Sequence, residues 1–199
     1  MRDRRHWQHV NDELDVIDDA TRITHILFAY TFPTEMHQSL SFALFRTYAV
    51  PSIGELLHRT GAFTTATQRR HDDTALLMSA LATAGPDSED GRTAIRRMNE
   101  MHGRYAIAIE DFHYVLASFV TVPLRWLDRY GWRRPTDHER QAVANHYRRV
   151  GTLMGLRDLP ATADDFAVVL DAHEAAHFGF SAGGRAVADA TLDLLTTFP

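Results

Sequence analysis

Four groups of residues in this sequence have the types and spacing needed for chemistry. His102 lies in RTAIRRMNEMHGRY, on a stripe with Ile95, Met98, Tyr105 and Ile109 at steps of three and four. An imidazole held on a rigid helix among Met and Ile side chains can offer one nitrogen to a metal while an acceptor orients the other N–H. A histidine there can equally pack in a core, its nitrogens satisfied by neighbours. In RRHDDT (69–74), Arg70, Asp73 and Thr74 are spaced i, i+3, i+4 and share one helix face. As a ligand-facing cluster, Arg70 would neutralise a carboxylate. As a plain helix start, the aspartates complement the helix dipole and Arg70 is solvated.

His173-Glu174-Ala175-Ala176-His177 is a literal HExxH. On a helix it pairs two imidazoles with a carboxylate placed to activate water, as in zinc peptidases. A third ligand is harder to find: Phe180 stands where the extended pattern needs glycine, no His or Glu follows, and only Asp189 or Asp193 remain. In the fourth group, YAIAIEDFHYVL (105–116), the two tyrosines read as packing at a helix junction.

Composition removes many alternatives. With no cysteine, disulfides, iron–sulfur clusters, thiolate-ligated haem and Cys-type zinc sites are excluded. With no lysine, all 21 basic side chains are arginine, which excludes Schiff-base chemistry and a Walker-type lysine. Twelve histidines leave imidazole and carboxylate as the available metal ligands. A net charge of -5 without a long basic run argues against nucleic acid. The first twenty residues carry basic side chains but no apolar run behind them, and do not read as a secretory signal. The longest apolar run, 114–127, is too short to span a membrane and contains Pro123. A cytoplasmic location is expected.

The elements that must position these residues are helices. Helical periodicity dominates and no stretch reads as strand and hairpin. The spacing predicts helices from Asp18 to about Pro33, 34–47, 51–61, 70–84, a long one from Arg92 through Ile109, one through Val115 to Trp126 kinked at Pro123, 136–154, 162–177 and 184–197. Thr136 with Glu139 three residues on makes a capping box, and Gly85-Pro86 is a stop signal. Hydrophobic content of 45% over 199 residues supports one core. The expected architecture is therefore an all-α, single-domain bundle of about eight to nine helices over 1–199, with a loosely ordered segment over 1–17.

Taken together, several segments resemble the MpaB-type oxygenase family, which includes the latex-clearing rubber oxygenases. The carriers are RTYAVPSI (46–53), the R-x-x-D-T of Arg70, Asp73 and Thr74, RRMNEMHGRY (96–105), EDFHYVL (110–116), LRWLDRYGWR (124–133) and MGLRDLP (154–160). Their order and spacing run from about Thr21 to Pro199. The resemblance implies a helical fold enclosing one haem b, with His102 as axial ligand of the iron and Arg70 and Thr74 near the haem. It further implies a reaction in which dioxygen cleaves a carbon–carbon double bond of an apolar, isoprenoid-like substrate to carbonyl products. The chain departs from the pattern at Asp73, where the latex-clearing branch has a lysine, so an aspartate is expected to act beside Arg70 and Thr74 in catalysis. Family members usually continue beyond a point like TLDLLTTFP, which implies a C-terminally shortened chain.

Three functions from different classes follow: a haem-dependent oxygenase using His102, Arg70, Asp73 and Thr74; a zinc hydrolase using His173, Glu174 and His177; and a non-catalytic or truncated helical haem-binding protein.

Overall fold

The periodicity is realised as helix after helix in a computed structural model describing residues 5–197. Among those residues there are eleven α-helices and no strand. In chain order they are α1 (His6–Asp12), α2 (Ala20–Ile26, continued by a π-helical turn over Leu27–Thr31), α3 (Pro33–Arg46), and, after a 3₁₀ turn at Thr47–Ala49, α4 (Pro51–Thr60). There follow α5 (Ala62–Thr65), α6 (Thr67–Thr83), α7 (Glu89–His102), α8 (Ile109–Tyr130), α9 (Asp137–Leu153), α10 (Ala163–His177) and α11 (Ala182–Leu195). The nine helices read from the sequence are all present. The two additions are short: α1, and the four-residue α5 that fits between Gly61 and α6.

Local chemistry sets most boundaries. Pro33 and Pro51 occupy first helical turns, where a missing N–H costs nothing. Gly61 ends α4 at φ 71°, a left-handed backbone that suits glycine. Thr136 and Glu139 form the reciprocal capping box of α9, and Thr162 with Asp165 repeats it on α10.

One boundary differs where it matters. The stripe that continues through Tyr105 and Ile109 predicts an unbroken helix, yet α7 stops at His102 and residues 103–108 are not helical. The Gly103 amide closes the last turn on Asn99 O. Tyr105 and Ile109 are then exposed instead of continuing the apolar face. The break places His102 at a helix end beside an irregular segment, a less regular seat than mid-helix.

The core centres on α8, which packs against α3, α9 and α10 and buries Tyr114, Leu116, Ala117, Val120, Leu124 and Leu127. A smaller apolar cluster of Tyr48, Phe63 and Val187 ties α5 and α11 to the 3₁₀ turn. There α4 and α11 approach backbone to backbone, and a Cβ on Gly54 would sit 2.6 Å from Gly184 Cα. Within the stretch expected to be loosely ordered, α1 carries the fully buried Asn11, which donates to Glu139 Oε1 at 3.0 Å. Residues 1–4 of that stretch, and the last two of the chain, lie outside the described residues. No described helix is long and apolar enough to cross a membrane.

Candidate functional site

A mainly apolar cavity of about 520 Å³ opens between α4, α6, α7, α8, α9 and the irregular segment 103–108. That size suits a small molecule or cofactor. Its apolar walls include Leu56, Leu81, Met98, Met101, Phe112 and Phe119. The polar side chains among them are few: His102, Arg70, Arg59, Arg104, Asp111 and Ser52 are the principal ones.

His102 reaches this wall from the last turn of α7. Its ring meets Phe112 edge-on, with centroids 5.3 Å apart. Its Nδ1 is buried and has no hydrogen-bond partner. Three other imidazole nitrogens share that condition, those of His113, His138 and His173, but none of these residues lines the cavity. Burial, reinforced by the charge of Arg70, holds the His102 pKa below the usual histidine value. The ring is therefore neutral at neutral pH, the form in which imidazole donates a lone pair to a metal.

Arg70 joins the lining from α6. Its guanidinium lies 4.9 Å above the Phe63 ring and donates to Thr74 Oγ1, one turn along the helix. Thr74 in turn donates to Arg70 O at 3.0 Å. Burial lowers the Arg70 pKa, opposed by Tyr48 and Asp73, but an arginine remains charged. The ring and the hydroxyl hold the guanidinium in place, which leaves a positioned cation on an apolar wall. The helix-face reading of Arg70 and Thr74 thus joins two groups in one contact. Asp73 is placed apart from them: its side chain is 49% exposed, it lies 4.0 Å from Arg69, and it does not line the cavity.

The HExxH residues sit on α10, where other parts of the protein engage Glu174 and His173 and leave His177 exposed. Glu174 accepts from Arg46 at both oxygens and from the Tyr114 hydroxyl at 3.3 Å. His173 is 8% exposed, stacks on Tyr114 at 4.5 Å and sets Nε2 3.3 Å from Asp111 Oδ1. Burial and neighbouring His177, whose ring is 4.4 Å away, lower the His173 pKa against the opposing pull of Asp111. Among the described residues no group of three or more His, Asp or Glu is arranged to hold a metal ion. The carboxylate that a zinc hydrolase would need free is held by Arg46.

Sequence reasoning missed four polar members of the wall, Ser52, Arg59, Arg104 and Asp111. Asp111 is 7% exposed and accepts from Ser52 Oγ at 2.8 Å. Both stand inside segments that attracted notice, EDFHYVL and RTYAVPSI. What pairs them is a contact across 59 residues of chain, and no local spacing signals it.

Comparison with known proteins matches residues 26–199 to the family described as ER-bound oxygenase mpaB/B'/Rubber oxygenase, catalytic domain. The chain is 32% identical over 145 residues to the ER-bound oxygenase mpaB of Penicillium brevicompactum, covering 70% of this chain and 37% of that protein. It is also 32% identical to the ER-bound oxygenase mpaB' of the same organism, of which it covers 34%. To the ER-bound oxygenase mpaB of Penicillium roqueforti it is 31% identical, covering 49%. The chain thus matches between a third and a half of the length of these relatives. No solved structure matches it.

Proposed function

The chain belongs to the ER-bound oxygenase mpaB/B'/Rubber oxygenase catalytic-domain family, and from that premise we propose that it is a haem b-dependent oxygenase acting on an apolar, isoprenoid-like alkene. One observation carries the reading: a buried imidazole nitrogen without a partner, on a residue lining an apolar cavity of cofactor size.

The residues suit the group. His102 would hold the iron through its neutral imidazole, and the packing of Phe112 limits the rotation of the ring. Arg70, held by Thr74 and Phe63, supplies a fixed positive charge for a carboxylate such as a haem propionate. Arg59 and Arg104 add two more cations to the lining. Bound haem would supply the iron at which dioxygen is activated.

What the chain itself does is bind, orient and exclude water. Met98, Met101, Phe119 and their neighbours give a site where an alkene is better solvated than in water. Cleavage of the double bond balances with one dioxygen: each carbon takes one oxygen atom as a carbonyl, and no external reductant enters. We assign Arg70 to the site, with Thr74, which does not itself line the cavity, holding its guanidinium, and give Asp73 an electrostatic influence on Arg70 from the solvent side.

Spectroscopy and product analysis together test the proposal. The purified protein should show a Soret band. With squalene as probe it should consume dioxygen and form carbonyl products that a hydrazine reagent traps. Haem without dioxygen-dependent product would leave the non-catalytic haem-binding reading in its place, and no haem at all would remove both.

A further inference from the structure

Asp111 is unusual among the residues of the cavity. A carboxylate on a mainly apolar wall is costly unless its oxygens are partnered. Here Oδ2 accepts from Ser52 Oγ at 2.8 Å, and Oδ1 lies 3.3 Å from His173 Nε2. Each carboxylate oxygen has two lone pairs, so both retain acceptor capacity after these contacts. The supports are themselves held. Ser52 is in the first turn of α4, and His173 is stacked on Tyr114, whose hydroxyl is tied to Glu174. The HExxH motif thereby has a structural role: its first histidine braces the cavity wall from behind.

One cation of the lining, Arg59, lies away from Asp111. Ser52 and Arg59 are at opposite ends of α4, and seven residues at the helical rise separate them by roughly 10 Å along the axis. An anionic group in the cavity is repelled by Asp111 and drawn toward Arg59, which leaves the Asp111 end for a hydrogen-bond donor.

We propose that Asp111, positioned by Ser52 and His173, is a specificity-determining residue that accepts a hydrogen bond from a hydroxyl or amino head group of the substrate. The substrate class then becomes an apolar alkenyl molecule carrying a donor at one end, in place of a plain hydrocarbon. The inference rests on the cavity being the substrate site of the proposed oxygenase.

Calorimetric titration of the protein as isolated with geraniol and with geranyl methyl ether tests it. The two probes share an apolar body, and only the alcohol can donate. The wild type should bind the alcohol about ten-fold or more tightly than the ether, the value of a hydrogen bond to a charged acceptor. Asp111→Ala should bring the two within about three-fold, and Asp111→Asn, which keeps an acceptor oxygen, should recover part of the preference. Equal binding of the two by wild type, binding of neither, or a preference that survives Asp111→Ala overturns the proposal. Should Asp111→Ala fail to fold, the wild-type ratio and Asp111→Asn decide. The Soret band of the same samples reads haem independently, so an alcohol preference without haem would fail the cofactor reading alone.

Discussion

His102 on α7 and His173 on α10 are both largely withdrawn from water and both bury a ring nitrogen without a hydrogen-bond partner, yet their surroundings differ. Around His173 the protein supplies charged and aromatic counterparts: Tyr114 against its face, the Asp111 carboxylate 3.3 Å from Nε2 as a charge contact, and Arg46 on the adjoining Glu174. Around His102 it supplies apolar walls, one aromatic edge and a positive charge, and leaves Nδ1 without an acceptor or donor. A region whose polar groups answer one another is built for stability and for bracing. A region that strands a polar atom beside a cavity spends stability on something the cavity is to hold. The recognisable motif is in the first region and the candidate ligand-binding histidine in the second.

His146 extends the comparison to a histidine buried as deeply as His173, and it should produce the largest change. Its Nδ1 lies 3.1 Å from Thr21 Oγ1, and burial drives its pKa down to about 4. The folded protein holds this ring neutral, while the unfolded chain protonates it near 6.5. Stability is therefore complete above pH 6.5 and falls by up to about 3 kcal/mol as the pH drops to 4. Urea unfolding across that range checks this, and His146→Gln should flatten the profile. An acid sensitivity that survives His146→Gln and vanishes in His173→Gln would show that the wrong histidine had been credited.

A smaller loss is expected from Glu174→Ala, which leaves the Tyr114 hydroxyl and a partly exposed Arg46 without their carboxylate. With the Arg46 side chain 41% exposed, solvent screens part of the interaction, and about 2 kcal/mol is the expected cost in urea unfolding. Haem content should not change. A variant of unchanged stability that loses bound zinc would instead restore the HExxH motif as a metal site.

Asp73→Ala sets the lower end of the scale. The Arg69–Asp73 contact is long and open to solvent, so stability should shift by no more than about 0.5 kcal/mol. The Soret maximum should also stay in place. A marked spectral change would mean that Asp73 acts at the cavity after all.

These contrasts show what a sequence can disclose here. Caps and stops are local, so Thr136–Glu139, Gly61 and the start of α10 are legible from spacing alone. The stripe bearing His102 is legible too, but its end is not: Tyr105 and Ile109 keep the helical spacing after the backbone has left the helix at Gly103. HEAAH reads as chemistry because its spacing is local, whereas Arg46, which occupies its glutamate, is 128 residues away. Asp111 with Ser52, and Phe63 beneath Arg70, are likewise products of the fold. The i, i+3, i+4 pattern at Arg70 located two cooperating groups and could not show that Asp73 turns toward solvent.

We propose that His102, and not the HExxH pair, holds the cofactor. Haem affinity of the wild type, His102→Ala and His173→Ala, measured by Soret titration of samples shown to be folded by circular dichroism, tests it most directly. The account predicts a Soret band in the wild type and in His173→Ala, and its loss or strong weakening in His102→Ala. Full haem retention by folded His102→Ala would contradict it.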